Sequence, residues 1–99
     1  MRKIEDKVVR AFVYRRAASL DNTRTDGDSL FLHGNKIAKW EDGKVKFTLA
    51  GWDSRTTCSR LNAMLQLLHA NRYIWHKNFE PRFGDASINS HSWYWVKEV

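Results

Sequence analysis

The stretch 29–68, SLFLHGNKIAKWEDGKVKFTLAGWDSRTTCSRLNAMLQLL, decides the fold. Gly34-Asn35 and Asp42-Gly43 each sit between runs of strand-type residues. Such dipeptides supply the positive-φ residues that two-residue hairpin turns need. Strands are therefore expected over 30–33, 36–40 and 44–50, in an antiparallel meander. Gly51 and Trp52 close the last of them, with Trp52 as the anchor of the strand-to-helix corner. Asp53, Ser54 and Thr56 can each cap the next helix by accepting a hydrogen bond from a free backbone amide. In that helix Cys58, Leu61, Met64, Leu65 and Leu68 recur at spacings of three and four, which makes one buried stripe. Asn71 suits a left-handed stop.

Working outward, residues 2–18 predict a first helix. Ile4, Val8, Ala11 and Phe12 follow helical spacing, Glu5 and Asp6 lie in its first turn, and Arg15 and Arg16 lie near its end. Residues 22–25 predict a short edge strand that leads through Asp26-Gly27 into the strand at 30. Beyond the second helix, 73–77 reads as a strand, 78–90 as irregular chain around Pro81 and Gly84, and 92–97 as a final strand. Ninety-nine residues cannot close a second core. The expected fold is one α+β domain over 1–99, with a mainly antiparallel meander sheet of about six short strands and two helices packed on one face.

Two-residue turns fix the register. Leu32 then faces Ile37, Phe31 faces Ala38, Trp40 faces Val45 and Ala38 faces Phe47. Alternation places Phe31, Ala38, Trp40, Val45, Phe47 and Leu49 toward the core. The opposite face carries Leu30, Leu32, Ile37, Lys39, Lys44, Lys46 and Thr48.

Seventeen Lys and Arg against eleven Asp and Glu leave a net charge of +6, which favours a polyanionic or acidic partner and also suits simple solubility. Three basic or aromatic constellations follow. Lysines interleaved with apolar side chains on the sheet face suit either a nucleic-acid backbone or a solvated strand face. Arg55, Arg60, Arg72, Lys77 and Arg82 cluster around the second helix and the strand after it, with Arg55 near the helix start, where free backbone amides add anion affinity. Trp93, Tyr94 and Trp95 could offer a stacking surface, but Trp93 and Trp95 share one face of the last strand and are read as core, leaving Tyr94 as the exposed aromatic.

The sequence argues against chemistry. His33, His69, His76 and His91 have no local metal-ligand spacing and there is no cysteine pair, so no metal site is expected. Cys58, the only cysteine, falls on the buried stripe and reads as packing rather than as a nucleophile. His76, His91, Glu80 and Asp85 could assemble an acid-base set, as in almost any chain of this length. No glycine loop cradles phosphate. No catalytic residue and no cofactor is expected. No apolar run approaches the ~20 residues of a membrane span.

Two blocks, LFLHGNKIA from Leu30 and GWDSRTTCSRLNAML from Gly51, resemble a family of small proteins of tailed bacteriophages, and Asn22-Thr23 after a first helix is similar too. The resemblance implies a phage origin and a shape, and carries no mechanism. It makes Arg60 and Asn62, polar positions beside the helix stripe, the candidate functional members. It also implies residence in the host cytoplasm.

These readings converge on a non-catalytic phage accessory protein that binds nucleic acid through Lys39, Lys44, Lys46, Arg55, Arg60 and Arg72. The alternative is an inhibitor of a host enzyme or antiviral defence complex, with Leu30, Leu32, Ile37 and Tyr94 as its contact surface. That same face could instead pair two copies as a homodimer.

Overall fold

The computed structural model describes residues 2–97. The α+β architecture is as expected: a six-stranded antiparallel sheet with helices on one face, plus a small three-stranded sheet. A π-helical turn Glu5–Val9 runs into α1, Arg10–Val13. Strands β1 (Ala17–Leu20), β2 (Thr23–Asp26), β3 (Ser29–Leu32), β4 (Asn35–Glu41) and β5 (Lys44–Phe47) follow as a meander, then α2, Arg55–Leu67. β6 (Ile74–Lys77), β7 (Glu80–Phe83) and β8 (Ala86–Ser87) form the second sheet, and β9 (Tyr94–Trp95) returns to pair with β5.

The first helix is shorter than predicted. Arg15 adopts φ 62°, while the Arg15 and Arg16 amides donate to the carbonyls of Phe12 and Ala11. That is a Schellman stop made without glycine. Residues 17 and 18, assigned to the helix by spacing, instead open β1, which takes the sheet edge from β2. α2 ends in the same way at His69 (φ 58°), two residues before the expected Asn71. Its start is as read: Ser54 Oγ accepts the Thr57 amide at 3.1 Å. The strand expected at 73–77 is β6, and the segment predicted irregular contains its partners β7 and β8; the β6–β7 turn places Asn78 and Phe79 at φ 52° and 66°.

The second predicted hairpin is observed in full. Trp40 lies opposite Val45 and Ala38 opposite Phe47. Asp42 and Gly43 carry the two positive φ values of a type I′ turn, at 53° and 75°. The first hairpin differs. Its turn residues are His33 and Gly34 (φ 50° and 80°), so Leu32 pairs with Asn35 and Phe31 with Lys36. A β-bulge at Ile37 then restores Leu30 to a position opposite Ala38. Leu30, Leu32 and Ile37 therefore point into the core with Ala38, and Phe31 turns outward. Burying an aliphatic side chain stabilises by about 1.5–3 kcal/mol, more than the ~1 kcal/mol of one ladder hydrogen bond that a bulge disrupts. The Leu30, Leu32 and Ile37 surface expected of the inhibitor and homodimer readings is thus buried in the core.

Helices and sheet are joined by a buried ion pair. Arg60 Nη1 lies 2.7 Å from Glu5 Oε2, and each residue is 4% exposed. Arg60 Nε also donates to Thr23 Oγ1 at 3.0 Å, and Ser59 Oγ to the same Glu5 oxygen at 2.6 Å. One cluster thereby ties the first helix, the β1–β2 turn and α2. Asn62 does similar work for β6, accepting from the Ile74 amide at 2.7 Å and donating to its carbonyl at 3.0 Å.

Removing one partner from a buried pair strands the other charge, at a cost of about 3–5 kcal/mol. Glu5→Leu should accordingly lower the thermal midpoint by about 12 °C or more. The double variant Glu5→Leu/Arg60→Met should recover most of that loss in urea or thermal unfolding. A single variant as stable as the parent would remove the pair from the account.

Candidate nucleic-acid interface

The β4–β5 register sorts the side chains of two adjoining strands. Trp40, Val45 and Phe47 go inward, so Lys39, Glu41, Lys44 and Lys46 all go outward. Lys39 lies directly opposite Lys46, and Lys46 opposite Trp95 on β9. The same pairing sets Tyr94 opposite Phe47, with ring centroids 5.9 Å apart. The expected polarity of the last strand is therefore reversed. Tyr94 packs inward, its hydroxyl accepting the Asn89 amide at 2.8 Å. Trp93 and Trp95 remain 39% and 38% exposed.

The two indoles are bracketed by ammonium groups. Lys46 Nζ is 5.6 Å from the Trp93 ring centroid and 5.3 Å from that of Trp95. Lys39 Nζ lies 5.4 Å from Trp93, and Lys44 Nζ 6.0 Å from Trp95. The pattern continues across the outer face, where Arg24 sits 4.0 Å over Phe31 and Lys36 5.8 Å from it. Glu41 interrupts the positive charge. It holds Lys46 at 2.9 Å and Lys39 at 3.6 Å, and the Lys46 hydrogen bond lowers its pKa below the usual carboxylate value.

Of the residues predicted to contact nucleic acid, only Lys39, Lys44 and Lys46 share this surface. Arg55 is exposed on the first turn of α2, in the helix layer on the other side of the sheet. Arg60 is consumed by Glu5, and Asn62 by β6. Arg72 donates to the Val96 carbonyl at 3.2 Å and stacks 4.0 Å over Phe83. A polar side chain on a helix looks the same in sequence whether it faces water or a buried carboxylate. Arg24 and Lys36 escaped sequence reasoning, while Phe31, Trp93 and Trp95 were assigned to the core although the two tryptophans also suggested a stacking surface. The available signal was the matching i, i+2 spacing of Lys44/Lys46 and Trp93/Trp95.

Two further features frame the site. A cleft of about 130 Å³ lies between the β3–β4 turn and the start of α2, lined by His33, Asn35, Leu49, Trp52 and Thr56 among others. Trp52 is 62% exposed on its rim and stacks on His33 at 6.5 Å, so it does not anchor the strand–helix corner. On the helix side, Asp53 meets His76 Nε2 at 2.8 Å and Cys58 Sγ at 3.5 Å. Here the carboxylate stands between thiol and imidazole, so His76 has no contact through which to deprotonate the thiol. Burial, reinforced by the Asp53 charge and hydrogen bond, pushes the Cys58 thiol up to about 12. Among the described residues, no hydrogen bond links His76, His91, Glu80 and Asp85 into the acid-base set.

A thiol with that pKa is only about one part in 10⁴ ionised at pH 8. Native protein without metal should react with iodoacetamide far more slowly than the same chain in urea, and the gap should close as pH rises toward 12. Equal rates at pH 8 would refute the buried, carboxylate-paired thiol.

The chain belongs to the Kyanoviridae Gp96 protein family, a family of phage proteins, whose profile matches residues 1–98. No match was found among curated proteins or among solved structures. Among the described residues, no helix is long and apolar enough to cross a membrane.

Proposed function

We propose that this phage protein binds single-stranded nucleic acid on the outer face of its six-stranded sheet. Trp93, Trp95 and Phe31 stack on bases, while Lys39, Lys44, Lys46, Lys36 and Arg24 take the phosphates. The observation that carries this reading is the pair of exposed indoles flanked by three lysine ammoniums. Stacking platforms alternating with cations suit unpaired strands, whose bases are free to turn onto an aromatic face.

Magnitudes favour exchange of the internal contacts for nucleic acid. An exposed cation–π contact is worth about 0.5–1 kcal/mol, whereas stacking a base on an aromatic side chain is worth about 1–3 kcal/mol. A base that displaces an ammonium from an indole gains more than it disrupts. The released ammonium then lies beside the phosphate that follows. Glu41 opposes this exchange by occupying Lys46 and Lys39 as a phosphate would.

Titrating oligo(dT) and oligo(U) into the protein should quench tryptophan fluorescence, with affinity falling as salt rises. For single strands the log–log slope is about −0.7 per phosphate neutralised, so Lys46→Ala should flatten it by roughly that amount. Trp93→Ala and Trp95→Ala should each weaken binding by about 1–3 kcal/mol. Glu41→Gln should tighten it. Salt-insensitive binding, or none to either oligonucleotide, would overturn the proposal.

A further inference from the structure

Apart from the sheet face, the fold assembles three metal-type donors that sequence spacing does not reveal. Asp53 precedes α2, Cys58 lies in its first turns, and His76 is on β6 of the second sheet. A carboxylate oxygen, the Cys58 sulfur and one His76 ring nitrogen all lie within 4.8 Å of one another. We infer that Asp53, Cys58 and His76 form a binding site for a divalent zinc-type ion, which clamps the small sheet to the start of α2.

The donor chemistry carries the argument. Carboxylate, thiolate and imidazole are the three ligand types that zinc accepts in tetrahedral sites. Bond lengths of about 2.0–2.3 Å put tetrahedral ligand atoms roughly 3.3–3.8 Å apart. The Cys58–Asp53 separation of 3.5 Å already falls in that range, and the Asp53–His76 contact of 2.8 Å needs to open by about half an ångström. Asp53 and His76 are solvent-accessible and Cys58 is buried, so the ion enters from water and keeps a water in the fourth position. Without a metal the cluster is poorly matched. The sulfur offers only a weak hydrogen bond to a carboxylate that already has a better donor in His76. On binding, the Cys58 S–H bond breaks and its proton passes to buffer as a metal–sulfur bond forms, while the His76 Nε2 proton moves through water to Nδ1 and frees Nε2 to coordinate.

The test uses Zn²⁺ and Co²⁺ alone, on the full chain treated first with chelator. Equimolar Zn²⁺ should bind one per chain, release about one proton at pH 7 and raise the thermal midpoint in a concentration-dependent way. Co²⁺ should give a thiolate-to-metal charge-transfer band in the near ultraviolet. Cys58→Ser should abolish that band, and His76→Ala, at an exposed position where folding is secure, should weaken Zn²⁺ binding about tenfold or more. Absence of the band in the parent chain, or Zn²⁺ binding unchanged in both variants, would overturn the site.

Discussion

The outer face of this protein exists because of one extra residue in β4. With Ile37 bulged out of the ladder, Leu30, Leu32, Ile37 and Ala38 all reach the core. Phe31, Lys36 and Lys39 are left on the far side beside Arg24 and Lys46. Without the bulge the strand would split its aliphatics between the two faces, and neither face would be uniform. A bulge also raises the local twist of its strand. Here it lets one sheet carry an apolar inner layer and a cationic, aromatic outer one.

The inner layer is held by polar residues that resemble functional ones. Arg60 spans from α2 to Glu5 and Thr23, and Asn62 satisfies both backbone groups of Ile74. Buried charge requires a partner and further hydrogen bonds, and this cluster supplies them through Ser59, Thr23 and Asn22. The blocks that carry the phage resemblance thus include the residues that fix helix to sheet. What they specify is geometry.

Much of the fold was legible in local chemistry. Asp42-Gly43, read as a two-residue turn, set the β4–β5 register, and the Cys58–Leu61–Met64–Leu65 stripe located the buried side of α2. The shift to a His33-Gly34 turn was not legible, because histidine and asparagine both tolerate the left-handed region and only burial of Leu32 chooses between them. Beyond the strand read at 73–77, β7 and β8 were missed because Phe79 at positive φ carries no turn signature. Of the candidate site, the three sheet lysines were readable from alternation. The tryptophans suggested a stacking surface but were read as core, since hydrophobicity alone sends Trp93 and Trp95 inward and only pairing with β5 turns them out. The Asp53–Cys58–His76 cluster is wholly a product of tertiary structure.

The proposed nucleic-acid site lies across β4, β5 and β9 rather than at the start of α2, where sequence also suggested anion affinity. Isotope-labelled protein titrated with a short oligo(dT) distinguishes the two through its indole and backbone N–H resonances. Binding on the sheet face should shift the Trp93 and Trp95 indoles and the amides of Lys39, Lys44 and Lys46. Trp52, and Trp75 with its indole bonded to the Gly84 carbonyl at 2.7 Å, should stay still. Shifts confined to Trp52, Arg55 and Thr56, with the sheet face unmoved, would contradict it.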